Sequence, residues 1–221
     1  MGVVLVAAIS FIAGMTDAIG LRMSGDFVSF MTGNTTRAAT SLQAGEYAHA
    51  LKLLGAILVF VAGNATGIVV AYAFERRIFA VLAAVGATLA LASVLQQPDL
   101  QLGQFYLVVF AMGMVNAAVE NIEGLPIGLT YVTGALSRFG RGIGRWLLGE
   151  KKLDWSIQLV PWIGMMLGAL SGAVLGAMFQ SAALWMVAAL VMAVAFATML
   201  MPRSLQHRYN QRVSARQTHR H

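Results

Sequence analysis

Two short stretches carry the residue types from which an anion site could be built. In the first, Phe30-Met31 leads into Thr32-Gly33-Asn34-Thr35-Thr36-Arg37; in the second, Tyr131-Val132 leads into Thr133-Gly134-Ala135-Leu136-Ser137-Arg138. Aromatic, apolar, Thr, Gly, two variable positions, hydroxyl and Arg recur in the same order at a constant offset of 101 residues. A Thr-Gly pair at the start of a helix offers unpaired backbone N–H groups and the positive end of the helix dipole, and both favour an anion. Arg37 and Arg138, one turn into each helix, add charge or pair with carboxylates. Ala135 stands where the first copy has Asn34, so any role of that amide need not be duplicated.

Other polar residues interrupt apolar runs. Asp17 lies in Gly14-Met15-Thr16-Asp17-Ala18, answered in the second half by Gly113-Met114-Val115-Asn116-Ala117, with Glu120 one turn further on the same face. A carboxylate inside a membrane segment is costly and usually faces the bundle interior or a pathway. Two uses fit: proton or cation coupling, or a structural ion pair of Asp17 or Glu120 with Arg37 or Arg138, and the nearby arginines favour the pair. Gly63-Asn64-Ala65-Thr66-Gly67 answers Gly168-Ala169-Leu170-Ser171-Gly172. Their small-xxx-small spacing reads first as close helix packing. Asn64 and Thr66 then hydrogen-bond a neighbouring helix, or Asn64 lines a cavity.

The elements that must hold these residues follow from composition. Of 221 residues, 58% are hydrophobic and 11% charged, and mean hydropathy is +0.73. A soluble domain carries about 25% charged residues, so lipid is the implied solvent. Apolar runs of membrane-crossing length cover approximately 2–21, 51–74, 78–97, 104–122, 156–179 and 182–202. They lack the alternation of a β-barrel, and helices satisfy their own backbone in lipid. The first run lacks a basic flank, so it reads as a span rather than a cleaved signal. The chain has no cysteine, and three of its four histidines (His207, His219, His221) fall in the C-terminal tail, which disfavours a buried metal site. No cofactor is expected. HExxH and GxSxG motifs are absent, and an enzyme ranks below the other readings.

Charge gives an orientation. Twelve of the fifteen Lys and Arg residues fall between spans two and three, between spans four and five, and after span six; Arg22, Arg37 and Lys52 are the rest. The basic side is expected to be cytoplasmic, with both termini there. The net charge of +6 is concentrated in the tail, where five arginines follow the last span. It points to anionic lipid headgroups rather than nucleic acid. Arg138, Arg141 and Arg145 share one helical face, which would lie along the headgroups. Trp146, Trp155, Trp162, Tyr47 and Tyr106 fit interfacial anchors.

The three matched segments predict an all-α membrane protein of two inverted three-span repeats, residues 1–100 and 101–202, with a basic tail over 203–221. An odd number of spans per repeat turns the second copy upside down. Asp26 to Met31, and Pro126 to Val132, read as short extended arms. A turn at Thr-Gly then leads into a short helix over 34–42 or 134–146, forming broken or re-entrant segments whose helix starts face each other near the midplane. Plain loops with Thr32 and Thr133 as N-caps are the competing reading. GMTDAIGL, FVSFMTGNTTR and TYVTGALSRFG resemble the YoaK-like family of bacterial membrane proteins, a domain of unknown function. The resemblance runs from span one to span six and implies a bacterial inner-membrane protein of about six spans, without a substrate. The expected function is a secondary transporter or permease for a small anion or carboxylate. Thr32, Gly33, Asn34, Arg37, Thr133, Gly134 and Arg138 would bind it, and Asp17, Asn116, Glu120 and Asn64 would couple or line the cavity. The alternative is a non-transporting membrane scaffold whose polar residues are structural pairs. A homodimer is compatible with six spans.

Overall fold

The computed structural model describes residues 2–120, 132–150, 155–180 and 182–200, all of them helical or in connections. Eight α-helices follow in order: α1 (Gly2–Ser24), α2 (Met31–Gln43), α3 (Tyr47–Ala73), α4 (Arg77–Val94), α5 (Gln101–Glu120), α6 (Val132–Leu147), α7 (Leu159–Phe179) and α8 (Ala182–Met199). Six helices are long and apolar enough to cross a membrane. They match the six runs read from sequence to within a few residues, except that α1 continues to Ser24 and the second span begins at Tyr47. The arm 126–131, Glu123, Lys151, Lys152, the tail from 203 and the side chain of Glu120 lie outside the described residues.

Helices α1, α4, α5 and α8 form the centre, where Ile9, Ile12, Leu82, Leu89, Met112 and Leu184 are almost fully buried. Helix α7 packs against α1 and α3 against α5, and both turn apolar side chains outward; Leu58 is 72% and Met178 69% exposed. Outward-facing leucine and methionine on a helix that is apolar all round suit contact with lipid. The two outer crossings are backbone to backbone. A Cβ at Gly168 or Gly172 would strike the carbonyl of Phe11 or Met15, and one at Gly63 or Gly67 would strike that of Phe110 or Met114. Small residues therefore set these contacts, as their spacing predicts. Thr66, by contrast, donates to Ala62 of its own helix (2.8 Å) rather than to a neighbour.

One polar contact marks an end of the bundle. Arg76, between α3 and α4, donates to the Met199 carbonyl at the close of α8 (3.0 Å). That end also holds the start of α7 and, against it, α6. Helix α2 packs on α3 at the opposite end.

Candidate functional site

After Ser24 the chain turns at Gly25, whose φ of 74° lies in the left-handed region that glycine adopts without strain. The next residues run back along α1. Asp17 Oδ1 accepts the backbone N–H groups of Val28 and Ser29, each at 3.0 Å. Asp17 is seven residues from the end of α1, so Val28 and Ser29 lie about 10 Å back along that helix. Gly20 makes room for this path, because a Cβ there would meet the Val28 side chain. Helix α2 then runs out antiparallel to the arm. Asn34 Nδ2 donates to the Phe27 carbonyl (2.7 Å), and one turn later Arg37 donates to the Gly25 carbonyl (2.7 Å). The result is a hairpin of one extended arm and one helix, with the N-terminus of α2 at the deep end.

Asp26 pins the outer end of this hairpin. Its side chain is 2% exposed and meets Arg37 (3.0 Å), His49 Nε2 (3.0 Å) and Lys52 Nζ (2.8 Å). Lys52 also donates to the Ser24 carbonyl (3.2 Å) and lies 4.6 Å from the centre of the Phe105 ring. Ser41 links His49 Nδ1 (2.9 Å) with Glu46 (3.1 Å). Burial pushes the Asp26 carboxyl up. The bonds and charges of Lys52 and His49 outweigh it, and the group is held below the ordinary carboxylate value.

Beside the hairpin opens a cavity of about 650 Å³ between the ends of α1 and α7 and the α4–α5 connection. Val28, Ser24, Lys52 and Phe105 form its hairpin side; Arg22, Asp99 and four glutamines (Gln96, Gln101, Gln104, Gln180) supply most of its remaining polar groups. Arg22 has no ion-pair partner among the described residues.

The residues singled out from sequence divide between two places. Asp17, Asn34 and Arg37 come together in the first hairpin. Asp17 bonds backbone amides there, and Arg37 takes Asp26, so the expected pairing of Asp17 with arginine is replaced. The Thr-Gly pair is no bend: α2 already starts at Met31, and its N-cap is Phe30 without a side-chain bond, which removes Thr32 from that role. The first turn forms there because Ser29 and Phe30 carbonyls accept Met31 and Asn34 N–H. Thr32 is exposed, while Gly33 lies under the rings of Phe27 and Phe30, where a Cβ would not fit. In the second half, Thr133 and Gly134 likewise lie within α6; Thr133 is exposed and Gly134 half-buried. Arg138 donates to Gln158 Oε1 (2.8 Å) just before α7. Asn116 lies in α5 with an Oδ1 that is buried and accepts no hydrogen bond from the described residues. Asn64 is half-buried, its backbone against Gly113.

Sequence reading passed over Asp26, His49, Lys52 and the cavity glutamines. A usable signal existed. Arg37 and Lys52 are two of only three cations on the charge-poor side, and Asp26, between α1 and Arg37, is one of the few acids there. Among the described residues no group of three or more His, Asp or Glu side chains is placed to hold a metal ion.

Residues 5–197 match the family described as "Protein of unknown function (DUF1275)". The chain is 52% identical over 212 residues to the UPF0700 transmembrane protein RA0705 of Rhizobium meliloti (strain 1021), covering 96% of this chain and 92% of that protein. No solved structure matches. With the match spanning α1 to α8 and six candidate spans in place, the chain belongs to the DUF1275 (UPF0700) family of multi-pass transmembrane proteins.

Proposed function

We propose that this protein is a secondary transporter or permease for a small anion or carboxylate, seated in a bacterial inner membrane with both termini cytoplasmic. The observation that carries this reading is the first hairpin. A helix N-terminus lying about 10 Å inside the end of α1 aims the positive end of its dipole into the membrane, the arrangement by which broken helices hold anions in transporters. Non-helical backbone at such depth is tolerated where protein or a water-filled cavity covers it. Here Asp17 satisfies two amides of the arm, and a polar cavity adjoins it.

Inverted duplication is supported by register. The α1–α7 and α3–α5 crossings use matched residues: Phe11 and Met15 against Phe110 and Met114, and Gly168 and Gly172 against Gly63 and Gly67. The Thr-Gly pairs, 101 residues apart, lie within α2 and α6, at opposite ends of the bundle. In this reading Thr32, Gly33, Asn34 and Arg37 bind from one side, and Thr133, Gly134 and Arg138 from the other. Asp17 positions the first segment. Asn116, Glu120 and Asn64 line the path, with Asn116 Oδ1, unpartnered among the described residues, open to a donor.

A scaffold without transport draws support from one fact: Asp17, Asp26 and Arg37 are all satisfied internally. Flux separates the two. Protein in liposomes should take up one or more members of a panel of inorganic and organic anions well above protein-free liposomes, and Arg37→Ala should abolish most of that uptake. Asp17→Asn keeps an acceptor for the two amides and serves as a folded control for the charge. Uptake equal to protein-free liposomes across the panel, from monodisperse protein, leaves the scaffold.

A further inference from the structure

At the end of the bundle opposite the hairpin, α6 presents Arg138, Arg141 and Arg145 on one face, at three- and four-residue spacing. They line a second cavity, of about 430 Å³, together with Glu150, Trp155 and Gln158. Arg138 is engaged by Gln158 (2.8 Å); Arg141 and Arg145 have no ion-pair partner among the described residues. Among the described residues the cavity therefore gathers three positive groups against one carboxylate. Trp155 forms a wall because Gly142 leaves space for it, and Phe139 packs against it at a tilt, with ring centres 5.3 Å apart. Its indole N–H is buried and meets no acceptor among the described residues.

We infer that this cavity is a binding site for a phosphate group, carried either by an anionic phospholipid or by a soluble phosphate ester. Guanidinium groups present planar pairs of donors that match phosphate oxygens, and clustered uncompensated arginines are costly unless an anion joins them. The size suits a headgroup or small ester. Position favours the lipid as the source. Leu136 and Leu147 on the same helix, and Leu148 just after it, are exposed, Leu148 at 88%, so α6 is amphipathic and would lie at the membrane surface with the cavity at headgroup level. The site shares Arg138 with the transport reading, but Arg141 and Arg145 take no part in that reading, so substitutions there test this site separately.

The test uses the full chain in detergent and in nanodiscs. Native mass spectrometry should find phosphatidylglycerol retained over phosphatidylcholine, and the double substitution Arg141→Gln with Arg145→Gln should weaken retention about tenfold or more. Glu150→Gln should act the other way and tighten it, a gain that damage to the fold would not produce. Glycerol phosphate is the soluble probe. Competition with the lipid at comparable concentration assigns the site to soluble esters, and failure to compete assigns it to headgroups. If the double variant elutes as the parent does and holds both probes as tightly as the parent, or if Glu150→Gln loosens them, the inference is overturned.

Discussion

At the scale of the residue, Asp26 concentrates the electrostatics of the first hairpin. One carboxylate, 2% exposed, receives Arg37, His49 and Lys52, while Arg37 itself is 40% exposed and Lys52 24%. Breaking a fully buried pair costs about 3–5 kcal/mol, and the partial exposure of the partners lowers the figure for Asp26→Asn to the order of 2 kcal/mol. The pH dependence follows from the direction of the shift. The folded state holds this carboxyl below its ordinary value, so its contribution is complete above about pH 4 and is lost as pH falls through the lowered folded value. Purified protein should therefore lose thermal stability on acidification below about pH 4. Asp26→Asn, less stable at neutral pH, should lose less over the same range. Equal acid-induced losses of Tm in parent and variant would place the titrating group elsewhere.

At the scale of the element, glycines rather than charges hold the outer helices. Gly168→Val drives a branched side chain into the Phe11 carbonyl, and backbone cannot rotate away as a side chain can. Overpacking of this kind costs about 1–3 kcal/mol, so Tm should drop by about 5 °C. Gly140→Ala is the matched control: nothing lies within 4 Å of a Cβ there, and its gain in helix propensity should leave Tm level or slightly raised. Differential scanning fluorimetry in detergent reads both. These seams were legible in the sequence, because small-xxx-small spacing in an apolar run has few uses other than close packing. The six spans were legible for a similar reason, as solvent alone dictates their length and composition. The hairpin was read only in outline. Asp26 to Met31 lacks helical pattern, so the arm is visible in the sequence, but the pattern puts the bend into the helix at Thr32-Gly33, whereas it falls at Ser29-Phe30, just before Met31. A Thr-Gly pair is as good a first turn as it is a break, and only contacts made across space decide. Those contacts join Asp17 to Val28 and Asp26 to Lys52, residues that periodicity does not connect.

At the scale of the whole molecule, the scarcity of cations on one side has a structural counterpart. Of the three positive residues there, Arg37 and Lys52 are both bound to Asp26, which leaves Arg22 at the cavity as the one without an ion-pair partner among the described residues. Bound in this way, Arg37 and Lys52 weigh little against the charge-rich opposite side, and orientation should follow that side. The chain has no cysteine, so single introduced thiols report topology cleanly. Gln43→Cys, at the exposed end of α2, should react with a membrane-impermeant maleimide in intact cells, and Glu75→Cys, in the α3–α4 turn, only after permeabilisation. The reverse pattern would invert the protein in the membrane. The Asp26 cluster also has a bearing on biosynthesis. Lys52 emerges from the ribosome 26 residues after the carboxylate it neutralises. Until then the nascent chain carries an acid with few counter-charges beside a newly inserted α1, so the hairpin can settle against α1 only once translation has delivered the first turns of α3.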